Sequence, residues 1–83
     1  MKSLNAALGD IIRRQRKHAE LSQTELAQRI GLKQGALSKL ERGATPWNVE
    51  KLALVAHELG VTPSMLVSIA EDEARANEPP TGS

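Results

Sequence analysis

Residues Leu21 to Gly43 read LSQTELAQRIGLKQGALSKLERG, and this stretch decides the fold. It opens with Ser22-Gln23-Thr24-Glu25, which has the form of a capping box. The Ser22 hydroxyl can accept the Glu25 backbone N–H, while the Glu25 carboxylate reaches back to the N–H of Ser22. Leu26, Ala27 and Ile30 follow at helical spacing and make a buried stripe. Gly31 ends this helix, because glycine takes a positive φ without steric cost. Another helix runs from Lys33 to Arg42, with Ala36, Leu37 and Leu40 facing inward and Gly43 as its stop. Only Gly31-Leu32 joins the two, so they must meet at a sharp angle. Ala27 is small enough to let the later helix approach, and Leu37 and Leu40 are placed to pack it back onto the rest of the chain.

Three further helices surround this pair. Leu4 to Ala19 carries Leu4, Leu8, Ile11, Ile12 and Gln15 on one face, with Arg13, Arg14 and Lys17 away from its centre. Beyond Gly43, Leu52, Val55, Ala56 and Leu59 recur at helical spacing in a segment from Trp47 to Leu59 that Gly60 closes. Its start is open between Thr45-Pro46, as cap and first residue, and Asn48 as cap. The last helix begins at Thr62-Pro63 and carries Met65, Leu66 and Ile69, which with Val61 before it go into the core or toward a partner. The segment EDEARANEPPTGS, residues 71–83, is acidic and contains proline, and it reads as a disordered tail after a domain of residues 1–70.

Composition agrees with an all-α, five-helix domain. The chain has 83 residues, room for one core, and 40% are hydrophobic, yet Trp47 is its one aromatic residue. Trp47 is expected to pack near the fourth helix or to join a dimer contact. A core of Leu, Ile, Val and Ala suits packed helices better than sheets. The absence of cysteine excludes disulfides, thiol catalysis and cysteine-ligated zinc, and a reducing cytoplasm fits. His18 and His57 lie far apart and have no partners for a metal site. Ser22, Ser38 and Ser64 have no His/Asp constellation, so an enzyme is not expected. No cofactor is expected, because the chain has no glycine-rich dinucleotide or phosphate loop. No apolar run nears the ~20 residues of a membrane span, and MKSLNAALGD does not read as a signal peptide.

Charge is unevenly placed. Residues 13–42 carry eight Lys and Arg against Glu20, Glu25 and Glu41, a net of +5, whereas residues 43–83 carry Lys51 and Arg75 against six acids, a net of −4. Such asymmetry suggests a basic face for a polyanion.

Residues 21–43 resemble the helix-turn-helix of phage-repressor-like regulators, the Xre family. That family's pattern is L-S-Q-x-E-L-A, a glycine four residues after the alanine, and a recognition helix ending in E-R/N-G. Here it is matched by Leu21, Ser22, Gln23, Glu25, Leu26, Ala27, Gly31, Leu37, Leu40, Glu41, Arg42 and Gly43, and it continues through Leu52, Ala56, Leu59, Gly60 and Val61. The resemblance implies a lambda-repressor-like domain that binds double-stranded operator DNA, usually as a homodimer on a two-fold symmetric site.

By the same resemblance, Gln23 bonds a backbone phosphate, and the exposed face of the recognition helix is Lys33, Gln34, Gly35, Ser38 and Lys39. Gln34 suits adenine and Lys39 guanine, while Lys33 reaches a phosphate or a base. Arg42 and Arg14 are the rim candidates for phosphates. Arg16 and Glu41 match a buried ion pair and are assigned to structure. Four positions depart from the pattern: Lys33 replaces a Ser/Thr cap, Gly35 a base-reading side chain, Gln15 an apolar residue, and Glu20 a turn glycine. The function expected is a sequence-specific transcriptional regulator, a repressor acting by occlusion. The alternative is an antitoxin or other protein-interaction module that binds a toxin or other partner and autoregulates its operon.

Overall fold

The computed structural model describes residues 3–76. Its five helices are α1 (Leu4–His18), α2 (Gln23–Arg29), α3 (Gln34–Glu41), α4 (Val49–Leu59) and α5 (Pro63–Ala76), and the described residues form no strand. Polar side chains cap four of the starts. Ser3 accepts from Ala6 N at 3.0 Å, Asn48 from Lys51 N at 2.7 Å and Thr62 from Met65 N at 3.1 Å. At α2 both halves of the capping box form, at 3.0 and 3.1 Å. The Ser22 backbone N–H, then its hydroxyl and the Arg29 charge, hold the Glu25 carboxyl below its ordinary pKa. Asn48 therefore settles the start of α4. Lys33 precedes α3 without a side-chain cap.

The first four helices end alike. Leu21, Leu32, Ala44 and Val61 each return a backbone N–H to the carbonyl five residues earlier, at 2.8–3.1 Å. The residue before each of these is left-handed: Glu20 (φ 60°), Gly31 (75°), Gly43 (76°) and Gly60 (72°). This is the Schellman pattern. Glu20 adopts it although it is not glycine.

Ile12, Leu26, Leu37, Leu40, Val55 and Leu66 form the centre of the core. α1 packs mainly on α5 and also on α3, while α2 packs against α3. The α1 stripe differs from expectation at its start: Leu4 is 44% exposed, while Ala7 and Gly9 are buried. Gly9 sits where α1 crosses the end of α3. A Cβ there would lie 2.5 Å from the Glu41 carbonyl oxygen and 2.6 Å from that of Leu40. Asn5 fastens the loop after α3, donating to Thr45 O at 3.0 Å and accepting from Trp47 N at 2.8 Å. Trp47 itself is a partly buried packing residue.

Two further expectations change. Ala36 is exposed, and Glu41 takes the inward position on α3. The boundary expected after residue 70 falls inside α5, which continues through Ala76. Ala70 is fully buried and Ala74 packs against the core, so EDEARA is an amphipathic last stretch of helix and not the start of a tail. The rest of the expected tail, residues 77–83, lies outside the described residues. On α5, Leu66 turns inward, while Met65 and Ile69 are 49% and 38% exposed. Among the described residues no single helix is long and apolar enough to cross a membrane, and no cluster of His, Asp and Glu could hold a metal ion.

Candidate nucleic-acid interface

α3 is seated in the molecule by Leu37, Leu40 and Glu41, leaving Gln34, Gly35, Ala36, Lys39 and Arg42 exposed and Ser38 half-buried. A hollow lies on each side of it. Toward α1 and α2, a cleft of about 430 Å³ is lined by Ala6, Asp10, Arg13, Gln23, Ser38, Glu41 and Arg42. Toward α4, a groove of about 520 Å³ is lined by Lys33, Gly35, Ala36, Lys39, Leu40, Thr45 and Lys51.

A chain of polar side chains runs from the core to the exposed face. Arg16 grips Glu41 with two parallel bonds, Nε to Oε2 at 2.8 Å and Nη2 to Oε1 at 3.1 Å, and both residues are buried. Its Nη1 donates to Leu21 O at 2.9 Å. Gln23 Nε2 donates to Glu41 Oε1 at 2.9 Å, and Gln34 Nε2 donates to Gln23 Oε1 at 3.2 Å. The Arg16–Glu41 pair is therefore structural, as the resemblance implied. Gln34, the first residue of α3, is held by the first residue of α2.

Of the residues singled out in the sequence, Gln23, Ser38 and Arg42 meet in the cleft, Lys33, Gly35 and Lys39 meet in the groove, and Gln34 joins Gln23. Arg14 lines neither hollow. It pairs with Asp10 at 3.3 Å and with Glu73 of α5, so its charge serves the packing of α1 on α5. Two further cations line the hollows. Arg13 lines the cleft, and its spacing from Ala6 and Asp10 already placed the three on one side of α1. Lys51 enters the groove from the first turn of α4, and nothing local in the sequence signals which helix lies beside it.

The family model for the helix-turn-helix matches residues 12–66. The chain belongs to the helix-turn-helix family. It resembles the clp gene regulator ClgR of Corynebacterium glutamicum, with 33% identity, a TM-score of 0.82, and coverage of 88% of this chain and 95% of that one. A second structure of ClgR gives 33% identity and a TM-score of 0.79 over 89% of each chain. A variant of the restriction-modification controller protein C.Esp1396I shares the fold at 21% identity, with a TM-score of 0.78 over 90% of this chain and 97% of that one. No curated protein sequence matches significantly. The family and the ClgR likeness make this protein a DNA-binding transcription regulator with a lambda-repressor-like, all-α fold, and not an enzyme.

Proposed function

We propose that the protein is a repressor that binds a palindromic operator in the cytoplasm as a homodimer, laying α3 in the major groove and occluding the promoter. The observation that carries this reading is the amide pair at the front of α3. Gln34 Nε2 spends one hydrogen on Gln23 Oε1. Its second hydrogen and its oxygen remain, the pair needed to donate to adenine N7 and accept from N6. Gln23 spends one hydrogen on Glu41 and keeps the other for a phosphate oxygen, at a helix start that already favours anions. Lys39 is assigned to guanine O6 and N7, with Ser38 and Gly35 against the groove floor. Lys33, Arg42, Arg13 and Lys51 are assigned to phosphates. Arg14, neutralised by Asp10 and Glu73, leaves that role to Arg13. Met65 and Ile69, one turn apart and outward on α5, are the surface a second copy would cover.

The test is selection of bound duplexes from a random library, followed by fluorescence anisotropy and sedimentation. A palindrome with half-site centres about 34 Å apart, bound by two copies, is the expected result. A library from which nothing is enriched sinks the regulator reading, and a single unpaired site bound by one copy sinks the dimer.

A further inference from the structure

We infer that Glu73, near the end of α5, is an autoinhibitory latch on DNA binding. It takes the guanidinium of Arg14 in place of a DNA phosphate, and opening of the end of α5 returns that contact to the duplex. This rests on the operator-binding reading and adds a restraint on its affinity. Arg14 pairs with Asp10, one turn earlier on α1, at 3.3 Å and with Glu73 across the junction of α1 and α5. Asp10 also lines the cleft with Arg13, Gln23 and Arg42. Arg14 therefore stands beside the residues assigned to phosphates, with one of its two carboxylates on the cleft wall and the other on the far helix. Its side chain is 54% exposed, whereas that of Glu73 is mostly covered.

Packing, more than charge, delivers the carboxylate. α5 packs chiefly on α1, and Ala70, fully buried, and Ala74, set against the core, flank Glu73 in the chain. Glu73 thus meets Arg14 at a fixed place on the fold. A carboxylate and a phosphodiester each present a monoanion to the same guanidinium donors, so the two compete for Arg14. An ion pair this open to water contributes little stability. Helix ends open at small free-energy cost, so the latch can release without unfolding the domain. Once Glu73 leaves, the remaining partner of Arg14 is Asp10, which holds the guanidinium on the cleft side.

The test follows binding to the selected duplex and to a random-sequence duplex by fluorescence anisotropy, from about 50 to about 200 mM salt. Glu73→Gln should bind both more tightly, with a slope of log K against log salt steeper by about 0.9 per subunit, one added phosphate contact. Its advantage over the parent protein should shrink about 3.5-fold per subunit across that salt range. Arg14→Ala alone should change little, and in the Glu73→Gln background it should abolish the gain. Glu71→Gln removes the same charge from an exposed position and should leave binding near that of the parent. Glutamine keeps the size of the side chain, so the variants keep their fold, and circular dichroism checks this. A Glu73→Gln protein with the affinity and slope of the parent overturns the inference. So does a gain that survives Arg14→Ala or is matched by Glu71→Gln, since overall charge then accounts for it. A loss of slope from Arg14→Ala alone also overturns it, because Arg14 is then already on the DNA. Each of these outcomes spares the regulator reading, whereas failure of the parent and every variant to bind any duplex sinks both.

Discussion

Two glycines inside helices, Gly9 and Gly35, make a paired prediction. Helix propensity alone favours alanine at both by up to about 1 kcal/mol. At Gly35 nothing lies within 4 Å of an added Cβ, so propensity should win. The position is the second of α3, where the helical cost of glycine is reduced, and the gain should be about 0.5 kcal/mol. At Gly9 the added carbon meets two backbone carbonyl oxygens at 2.5 and 2.6 Å, and neither can swing away as a side chain would. α1 must retreat from the end of α3, stretching the Arg16–Glu41 bonds that span the same crossing. Overpacking of this kind costs about 3 kcal/mol at the upper end of its range, and subtracting the propensity gain leaves a loss of about 2 kcal/mol. A domain of this length holds only about 4–12 kcal/mol, at 0.05–0.15 per residue. The melting temperature should therefore fall by about 8–16 °C for Gly9→Ala and rise by about 2–4 °C for Gly35→Ala. Thermal and urea unfolding followed by circular dichroism reads both, with an unchanged urea slope confirming a common unfolded state. Shifts of the same sign in the two variants would refute the steric account of the α1–α3 crossing.

Other substitutions probe other parts of the molecule. Glu20→Gly should stabilise by about 0.5–1 kcal/mol, since glycine holds the left-handed turn without the side-chain penalty, while Glu20→Ala should not; urea midpoints distinguish them. Glu25 has a lowered pKa in the folded state, so its contribution is present at neutral pH and lost as pH falls through that value. Glu25→Gln, which can still cap, should leave neutral stability nearly intact and flatten the acid limb of a stability–pH curve. Lys51→Ala should weaken all duplexes about equally and lower the slope of log K against log salt by about 0.9 per subunit. Gln34→Ala should instead cost about 1–3 kcal/mol on the preferred duplex and little on random DNA, as competition anisotropy would report.

The fold was legible because its signals are local. Ser22 with Glu25, Asn48, Thr62-Pro63 and the glycines at 31, 43 and 60 mark helix ends whatever the tertiary structure, and the observed bounds fall on them. What depended on neighbours was not legible. Ala36 has the spacing of a core residue, but the α4 side of α3 is open, and the inward place belongs to Glu41, a charge that no hydropathy pattern would bury. That pair was reached only through the family resemblance. EDEARA reads as tail by composition. In the structure Ala74 continues the face begun at Leu66 and Ala70, and Glu73 meets Arg14. The same contact ties Arg14 to α5, whereas Arg13, its neighbour in sequence, lines the cleft with Gln23 and Arg42.

The buried Arg16–Glu41 pair explains how so small a core can aim a side chain at a base. As a source of stability it is a poor choice, because desolvating two charges offsets most of their attraction and an apolar pair of similar volume often does as well. Its geometry has a different use. The carboxylate accepts two bonds from α1 and one from α2, so it fixes the last turn of α3 against both helices at once. The bond from Gln23 also sets that amide's orientation, leaving its oxygen turned to Gln34. An apolar pair would fill the space and keep the helices together, but Gln23 would lose the acceptor that orients it, and Gln34 would then choose among rotamers at the moment of binding. The ion pair is best understood as the fixed end of a four-residue lever whose free end is the reading amide. Its removal should accordingly damage discrimination between operators more than it damages the fold, provided the replacement fills the same volume.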